Sequence, residues 1–337
     1  MNDRYYQKLA QDAGFTMPGL RMFMTDKHKC AQDAAMVTTA NAGVPVEYTA
    51  YLDPMVIEIL TAVRNARALY SEVKKGDWTT PYAKFRTTEM VGETGPYSDY
   101  NAGPTADVNY TFPNREQYIF QTTTQYGDYE QAVSSAARLN LASDKQKAAA
   151  KTIDVDANKF YLYGVAGRGI YGALNDPNLP AALVAANGAK GTSTWSTKTT
   201  TEIFKDVLDM FKTMVKNSGG NISIDSKLIL AVSPDNMVDL ATSTEYNVSV
   251  KDMLDKYFGN NLTYVQIPEL SSAVAGNMAY MLCPSVDGTP TGEYGFSIKF
   301  QAGRVIPRES SYTQKFTSST YGCVIYRPFA VQTMTGI

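Results

Sequence analysis

The chain has 337 residues, of which 44% are hydrophobic, and a formal net charge of -2 at pH 7. This length and apolar content predict one large or two ordinary globular domains and exclude a disordered protein. The near-neutral charge excludes a strongly basic nucleic-acid-binding face. Only 19% of residues are charged while 23 are tyrosines, a composition typical either of buried protein interfaces or of a β-rich fold.

Residues 1–50 have no firm hydrophobic period, which predicts an extended arm rather than part of a domain core. They contain His28, the single histidine, and Cys30. The other two cysteines, Cys283 and Cys323, form no C-x-x-C motif, so we expect neither a disulfide framework, nor a metal site, nor histidine-dependent catalysis. Since no basic segment precedes an apolar run, and no ~18-residue apolar stretch occurs, we expect neither a signal peptide nor a membrane span.

A helix is predicted to begin at "LDPMVIEIL", where Asp53 is suited to the N-cap and Pro54 to the first helical position. Val56, Leu60 and Val63 then share one face with Arg67. We expect this helix to end before Gly76.

Residues 77–127 predict a long β-hairpin. "YAKFRTT", "VNYTF" and "EQYIFQTTTQ" are strand-like, and "GETGPYSDYNAGP" between them consists of turn formers and aromatic residues. An isolated two-stranded ribbon is only marginally stable in water, so we expect the hairpin to lie against a neighbour. The residues expected to make these contacts are Lys84, Arg86, Glu89, Glu93, Tyr97, Tyr100 and Pro104. The charged members are equally suited to ion pairing with another subunit and to being solvated edge charges that oppose aggregation.

The segment 128–163 predicts helix with a break near Asn140. Ser143 and Gln146 have the spacing of a capping box, and apolar or small residues then recur every three or four positions. The recurring residues are Ala149, Ile153, Ala157, Phe160 and Gly164.

Gly167, Gly169 and Gly172 follow this helix with the G-x-G-x-x-G spacing of a dinucleotide site. That site needs a strand before the glycines and a helix after them, whereas here a helix precedes and Pro177 and Pro180 follow. We therefore expect no nucleotide binding, but a structural turn with at least one glycine at positive φ.

Residues 182–298 predict a compact α/β subdomain. Thr199 and Glu202 form a capping box for a helix over 199–217, which Gly219 ends. Its predicted buried stripe is Ile203, Val207, Met210, Phe211 and Met214. "KLILAVS", "TYVQIP" and "NMAYMLCP" predict strands, and "PDNMVDLAT" predicts a short helix started by Pro234.

Asp252 and Asp255, at i and i+3, lie on one helix face. They are an example of a carboxylate pair that would suit a hydrolase, although solvated surface acids are far commoner than a catalytic dyad.

Long alternating strands return in residues 293–337, with Pro328 expected at a bend or edge. The order of parts, from arm and hairpin to long helix, α/β subdomain and closing strands, resembles the major capsid proteins of tailed bacteriophages. Two local sequences are also similar to that family: "GIYGALNDPNLP", as the turn after its spine helix, and "YGCVIYRPFAVQTMTGI", as its last strand. By this similarity Asn175 and Pro177 join the three glycines as residues of the structural turn.

The resemblance implies an α+β, Hong Kong 97-like shell fold. Its expected segments are the N-terminal arm (1–50), the first part of the peripheral domain (51–76), the extended loop (77–127), the peripheral domain with the spine helix (128–181), the axial domain (182–298) and the closing peripheral strands (299–337).

The function implied is that of a structural protein, not an enzyme, that assembles through pentamers and hexamers into the icosahedral shell of a tailed phage. It would be built in the host bacterial cytoplasm and enclose DNA without sequence-specific binding. The portal and a decoration protein are implied partners, and a separate scaffolding protein is expected because no long charged coiled-coil segment precedes the arm. Nothing positions a catalytic acid for covalent crosslinking, so none is predicted, and no cofactor or metal is expected.

Three alternatives remain on sequence grounds. An encapsulin-like cellular nanocompartment would share the fold, whereas the hydrolase of Asp252 and Asp255 or a β-rich adhesin would form discrete particles rather than shells.

Overall fold

A computed structural model of the protein describes residues 64–100, 103–243, 248–271 and 276–337. The predicted arm over 1–50 and the predicted helix start at Asp53 lie outside the described residues.

The described residues form a mixed α and β structure. The helices are α1 (Asp128–Ala136), α2 (Leu141–Tyr163), α3 (Thr200–Asn217), α4 (Pro234–Asp239) and α5 (Val250–Phe258). The strands are β1 (Ser71–Lys74), β2 (Tyr82–Lys84), β3 (Thr87–Gly92), β4 (Ala106–Thr111), β5 (Asn114–Glu116), β6 (Tyr118–Gly127), β7 (Leu183–Val184), β8 (Leu228–Val232), β9 (Leu262–Gln266), β10 (Met278–Leu282), β11 (Ser285–Val286), β12 (Thr289–Pro290), β13 (Gly292–Phe296), β14 (Gln301–Pro307), β15 (Ser311–Thr320), β16 (Gly322–Ile325) and β17 (Val331–Thr335).

A five-stranded sheet with the order β7-β17-β10-β8-β9 has two hydrophobic cores, one on each face. Strand β8 shows why: Leu228 and Leu230 belong to one core, while Ala231 between Leu230 and Val232 belongs to the other. Successive side chains of a strand point to opposite faces, so an uninterrupted apolar sequence such as "LILAV" is suited to a sheet buried on both sides.

Helix α3 covers the first face, and its predicted features are confirmed. Thr199 and Glu202 form the capping box, Gly219 follows the helix with a φ of +63°, and the predicted stripe is buried. Phe258 of α5 meets Phe211 of α3 edge-on, with ring centroids 5.0 Å apart.

Helix α2 joins two layers. Tyr161 and Leu162 pack in the core on the second face of the five-stranded sheet, while Ala149 and Ile153 pack with Phe316 against an antiparallel sheet of the order β14-β15-β6. The long helix therefore connects the α/β region to the sheet formed by the closing strands and β6.

The last strand, β17, lies beyond the predicted 182–298 segment, yet it pairs with β10 antiparallel and with β7 in parallel. Pro328 lies in a 3₁₀ turn between β16 and β17, as expected for a bend. A third sheet, of the order β1-β13-β16, joins a strand from before the hairpin to two from near the end of the chain.

Two local predictions are wrong. The helix expected to continue to Gly76 is replaced by a 3₁₀ turn at Ala66–Ala68 and by strand β1, which pairs in parallel with β13. The reason is tertiary: residues 71–74 pair with the edge of β13, and the preceding Leu69 and Tyr70 are buried in the core on the second face of the five-stranded sheet, which overrides local helix propensity.

The predicted capping box of Ser143 and Gln146 is also absent. Helix α2 starts earlier, with Asn140 as its N-cap: the Asn140 side chain accepts a hydrogen bond from the Ser143 backbone N–H. Arg138 in the preceding link has a φ of +59°, which accounts for the break between α1 and α2 near the predicted position.

Candidate functional site

Residues 82–116 form an antiparallel hairpin in two stretches, whereas Tyr118–Gly127, predicted as part of the same hairpin, pairs with β15 in another sheet. Tyr82–Lys84 pairs with Asn114–Glu116 near the base, and Thr87–Gly92 pairs with Ala106–Thr111 farther out. Every residue of β4 is exposed, so the outer stretch has no core of its own. The strands predicted over residues 82–116 are confirmed, and no residue of either stretch belongs to the two cores of the five-stranded sheet.

Large apolar and aromatic side chains, which are usually buried, are exposed to solvent on this hairpin. Met90 is 86% exposed, and Tyr97 and Tyr100 at the tip are 91% and 99% exposed. Contiguous exposed apolar surface on a soluble protein is typical of interaction sites. The outer hairpin is therefore the candidate functional site, as a contact surface rather than a catalytic one.

The charged residues predicted to make contacts are all exposed along this hairpin: Lys84, Arg86, Glu89 and Glu93. Within the described part of the chain, no salt bridge joins any of the four to another residue. Arg86 instead lies over the Tyr110 ring, 5.9 Å from its centroid. Pro104 is exposed at the tip, so all seven predicted contact residues are exposed on the hairpin.

A buried aromatic side chain fixes the hairpin base. Phe85 is almost fully buried next to Tyr326, with ring centroids 6.4 Å apart, and the Lys75 ammonium lies 5.9 Å from the Phe85 centroid. Lys75 also donates to the Glu293 carboxylate at 2.7 Å. The base of the hairpin is thus attached to the body by a buried side chain and an ion-paired lysine.

The glycine turn after α2 is compact and internally hydrogen-bonded. The prediction of positive φ is confirmed for Gly167 (+79°) and Gly169 (+64°). Asn175 joins both ends of the turn: its Oδ1 accepts from the Gly172 N–H at 2.7 Å, and its Nδ2 donates to the Tyr163 carbonyl at 2.6 Å.

Gly172 has another role. A Cβ there would lie 2.3 Å from the Leu162 backbone, so only glycine allows this close approach to the end of α2. No helix follows between residues 164 and 182, all of which the structure describes. The turn therefore lacks the helix N-terminus on which a dinucleotide pyrophosphate would lie.

Arg115, which sequence reasoning missed, ties this turn to the hairpin. Its guanidinium donates to the Gly169 carbonyl at 2.8 Å and to Asp176 at 3.3 Å, and lies 4.8 Å from the Tyr171 ring centroid. The Asp176 side chain is almost completely buried. A buried carboxylate needs a paired cation. An Asp in a turn rich in Gly and Pro and an Arg in the hairpin could therefore have been considered as an ion pair, but their spacing in the sequence does not show that they meet.

The Asp252 and Asp255 carboxylates do not form a dyad. Asp252 caps α5: it accepts from the Ser249 hydroxyl at 2.7 Å and from the Ser249 N–H at 3.0 Å, and these hydrogen bonds lower its pKa. Asp255 accepts from the Tyr264 hydroxyl at 2.9 Å. Each acid has a structural role of its own.

The two described cysteines, Cys283 and Cys323, are free and buried, and burial raises the pKa of both thiols. Across residues 64–337, apart from the short undescribed gaps, no cluster of three His, Cys, Asp or Glu side chains is arranged to hold a metal ion. None of the described helices is both long and apolar enough to cross a bilayer.

Comparison with known proteins decides among the remaining functions. The model of the Pa193 gp26 major capsid protein family matches residues 35–336. The chain belongs to the Pa193 gp26 major capsid protein family. It is accordingly a phage major capsid protein, and the resemblance noted in its sequence is confirmed. A search of curated protein sequences finds no match.

Solved structures show the same fold at low sequence identity. The capsid of Myoviridae phage XM1 is similar with a TM-score of 0.68 and 10% identity, covering 88% of this chain and 100% of that one. The capsid of a native GTA particle has a TM-score of 0.59 and 8% identity, with 88% and 97% covered. The mature capsid of bacteriophage PhiM1 has a TM-score of 0.56 and 14% identity, with 85% and 90% covered. The predicted Hong Kong 97-like α+β fold class is thereby confirmed.

Proposed function

We propose that the hairpin is an intersubunit clasp: in the shell, the outer hairpin of each subunit lies on a neighbouring subunit and becomes ordered there. The observation that carries this proposal is the exposure of Met90 on the paired outer strands, which have no core of their own, and of Tyr97 and Tyr100 in the tip between those strands. Covering a large apolar side chain contributes about 1.5–3 kcal/mol. This contribution works against the backbone entropy cost of ordering the tip, about 1–2 kcal/mol per residue, and it is available only when a second surface is present.

The attachment of the hairpin base fits this function. Phe85 is seated in the body, and Arg115 ties β5 to the glycine turn and, through it, to the end of α2. A clasp needs a rigidly attached base, because a hinge at the base would let the hairpin move relative to the body and would weaken the connection between subunits. The five predicted turn residues, Gly167, Gly169, Gly172, Asn175 and Pro177, would then act as structural support for the clasp.

We further propose the segment roles of the shell fold. Residues 1–50 would be the arm, 51–76 and 128–181 the peripheral domain with α2 as spine helix, and 182–298 the axial domain near the capsomer centre, with 299–337 returning to the periphery. Because β17 lies inside the five-stranded sheet, we assign that strand to the axial core.

The shell would form through pentamers and hexamers and enclose DNA. A protein that lines a DNA-filled cavity should not bind the phosphates strongly, and a net charge of -2 gives little general attraction to them. A separate scaffolding protein, a portal and a decoration protein are the proposed further partners, and the host bacterial cytoplasm is the proposed place of assembly. The nanocompartment alternative is less well supported than a phage shell, because the family match is to a phage major capsid protein.

Deletion of Glu93 to Gly103 tests the clasp. The shortened chain is expected to remain a soluble, folded subunit, because the deleted residues touch neither core, but to form no closed particles by electron microscopy. Its control is deletion of the same number of residues from the undescribed arm, with folding checked by circular dichroism. Normal shells of undiminished heat resistance from the Glu93 to Gly103 deletion would refute the clasp.

A further inference from the structure

A groove on the body lies beside α2, and its walls are cationic. It has a volume of about 350 Å³, within the ~300–1,000 Å³ range of sites that take side chains or small ligands. Four cationic side chains line it: Arg64, Arg67, Lys151 and Lys299. Its apolar floor is formed by Ile153 and Ala157 of α2 and by Phe300.

Two carboxylates pair with cations of this groove: Asp154, which is part of its lining, and Glu72, which is not. Asp154 accepts from Arg64 and Arg67, both at 2.5 Å. Glu72 accepts from Arg67 at 2.7 Å and also bonds Lys299.

The exposed fractions of these side chains decide which charge faces solvent. Glu72 and Asp154 are 11% and 25% exposed, against 36%, 37% and 53% for Arg64, Arg67 and Lys299. The surface that an incoming group meets is therefore positive, above an apolar floor.

The hairpin has the opposite charge. Residues 87–114 contain four carboxylates, at Glu89, Glu93, Asp99 and Asp107, and no Lys, Arg or His. Two of these carboxylates, Glu93 and Asp99, lie in the tip, 93–104, next to the almost fully exposed Tyr97 and Tyr100. Acidic groups with adjacent aromatic rings match a groove that has cationic walls and an apolar floor.

We infer that the groove lined by Arg64, Arg67 and Lys299 receives the hairpin tip of a second copy of this chain. The tip of the same chain does not fill it, since Tyr97 and Tyr100 are exposed while the groove is open. This inference rests on the proposed clasp and names its receiving surface.

Charge reversal tests the pairing in the full chain. Asp99→Lys and Lys299→Glu are each expected to lower the yield of closed shells at least about tenfold, because each places like charges within a Debye length of ~8 Å. The combined variant is expected to assemble severalfold better than either single variant, since opposite charges face each other again across the contact, but below wild type because Glu72 has lost its Lys299 partner. Asp225→Lys, an equal charge change in an exposed loop, is the control and should assemble normally.

A disulfide test does not depend on the charge variants folding. In a Cys30→Ser background, subunits carrying Tyr97→Cys are co-assembled with subunits carrying Phe300→Cys and then oxidised. A covalent dimer on a nonreducing gel is expected, and it can form only between copies. Val238→Cys, on the exposed side of α4, replaces Phe300→Cys as the control and should give none.

The outcomes separate this inference from the clasp itself. If deletion of Glu93 to Gly103 leaves assembly intact, the clasp is wrong. If that deletion blocks assembly, but the combined charge variant is no better than the single ones and the Tyr97→Cys and Phe300→Cys subunits form no disulfide-linked dimer, the clasp stands and the tip docks elsewhere. A chemical crosslink between the groove and residues 1–50 instead would assign the groove to the arm and overturn the inference.

Discussion

Replacing Gly172 with Ala tests the support of the hairpin base most sharply. An added Cβ would lie 2.3 Å from the Leu162 carbonyl carbon and oxygen and 2.5 Å from the Tyr163 nitrogen. Ordinary contacts between such atoms are about 3.5–4.0 Å, so the end of α2 and the turn must separate by roughly 1 Å. The atoms met are backbone, so no side-chain rotation relieves the overlap.

The expected cost is at or above the upper end of the ~1–3 kcal/mol range for overpacking, because the two Asn175 hydrogen bonds and the bond from the Cys323 N–H to the Tyr171 carbonyl must also adjust. Gly167→Ala is the matched control. It has a φ of +79° but nothing within 4 Å of the added Cβ, so only the left-handed backbone cost of ~1–2 kcal/mol applies.

Both variants are compared with wild type by urea-induced unfolding of the unassembled subunit, followed by circular dichroism. Gly172→Ala should unfold at a clearly lower urea concentration than Gly167→Ala, and both below wild type. Equal midpoints for the two variants would refute the close approach of the turn to α2, and with it the argument that the glycine spacing is structural.

Three further measurements address the rest of the fold. Met210→Ala should lower the free energy of unfolding by ~2–5 kcal/mol, and Val207→Ala by somewhat less, because both create cavities under α3; unchanged thermal unfolding in both would remove the assignment of that core. Asp176→Ala should cost about 3–5 kcal/mol by leaving the Arg115 guanidinium partly buried and unpaired, and a loss no larger than that of a surface ion pair, about 0–1 kcal/mol, would contradict the role of that pair. Burial raises the pKa of Glu72, but hydrogen bonds from Lys299 and Arg67 outweigh burial and lower this pKa below the usual 4.5. The free energy of unfolding that Glu72→Gln removes should therefore be largest at neutral pH and should vanish as pH falls through the pKa of Glu72 in the folded state. A difference in unfolding free energy that stays constant from pH 7 to pH 3 would contradict this role of Glu72.

Local signals in the sequence predicted those elements that local physics determines. The α3 capping box of Thr199 and Glu202, the apolar sequence of β8 and the alternating strands of the hairpin were all readable, because periodicity and capping act over a few residues. The helix predicted to reach Gly76 failed for a tertiary reason. Residues 71–74 became a strand because β13, in a distant part of the chain, offered an edge, and no local pattern reports that edge.

The candidate site was only partly predictable for the same reason. Tyr97, Tyr100 and the hairpin charges were found because a turn-rich tip with aromatic residues lacks the aliphatic side chains of a core. The Arg115 contact with Asp176 and the burial of Phe85 depend on how distant segments meet, and the cationic groove draws its side chains from three separate parts of the chain.

Electron cryo-microscopy of the shells formed by the full chain tests the central claim most directly. We expect closed icosahedral particles in which residues 87–111 of each subunit are ordered against a neighbouring copy, with Tyr97 and Tyr100 buried in that contact. Shells in which the hairpin tip extends into solvent and touches no other subunit would contradict it.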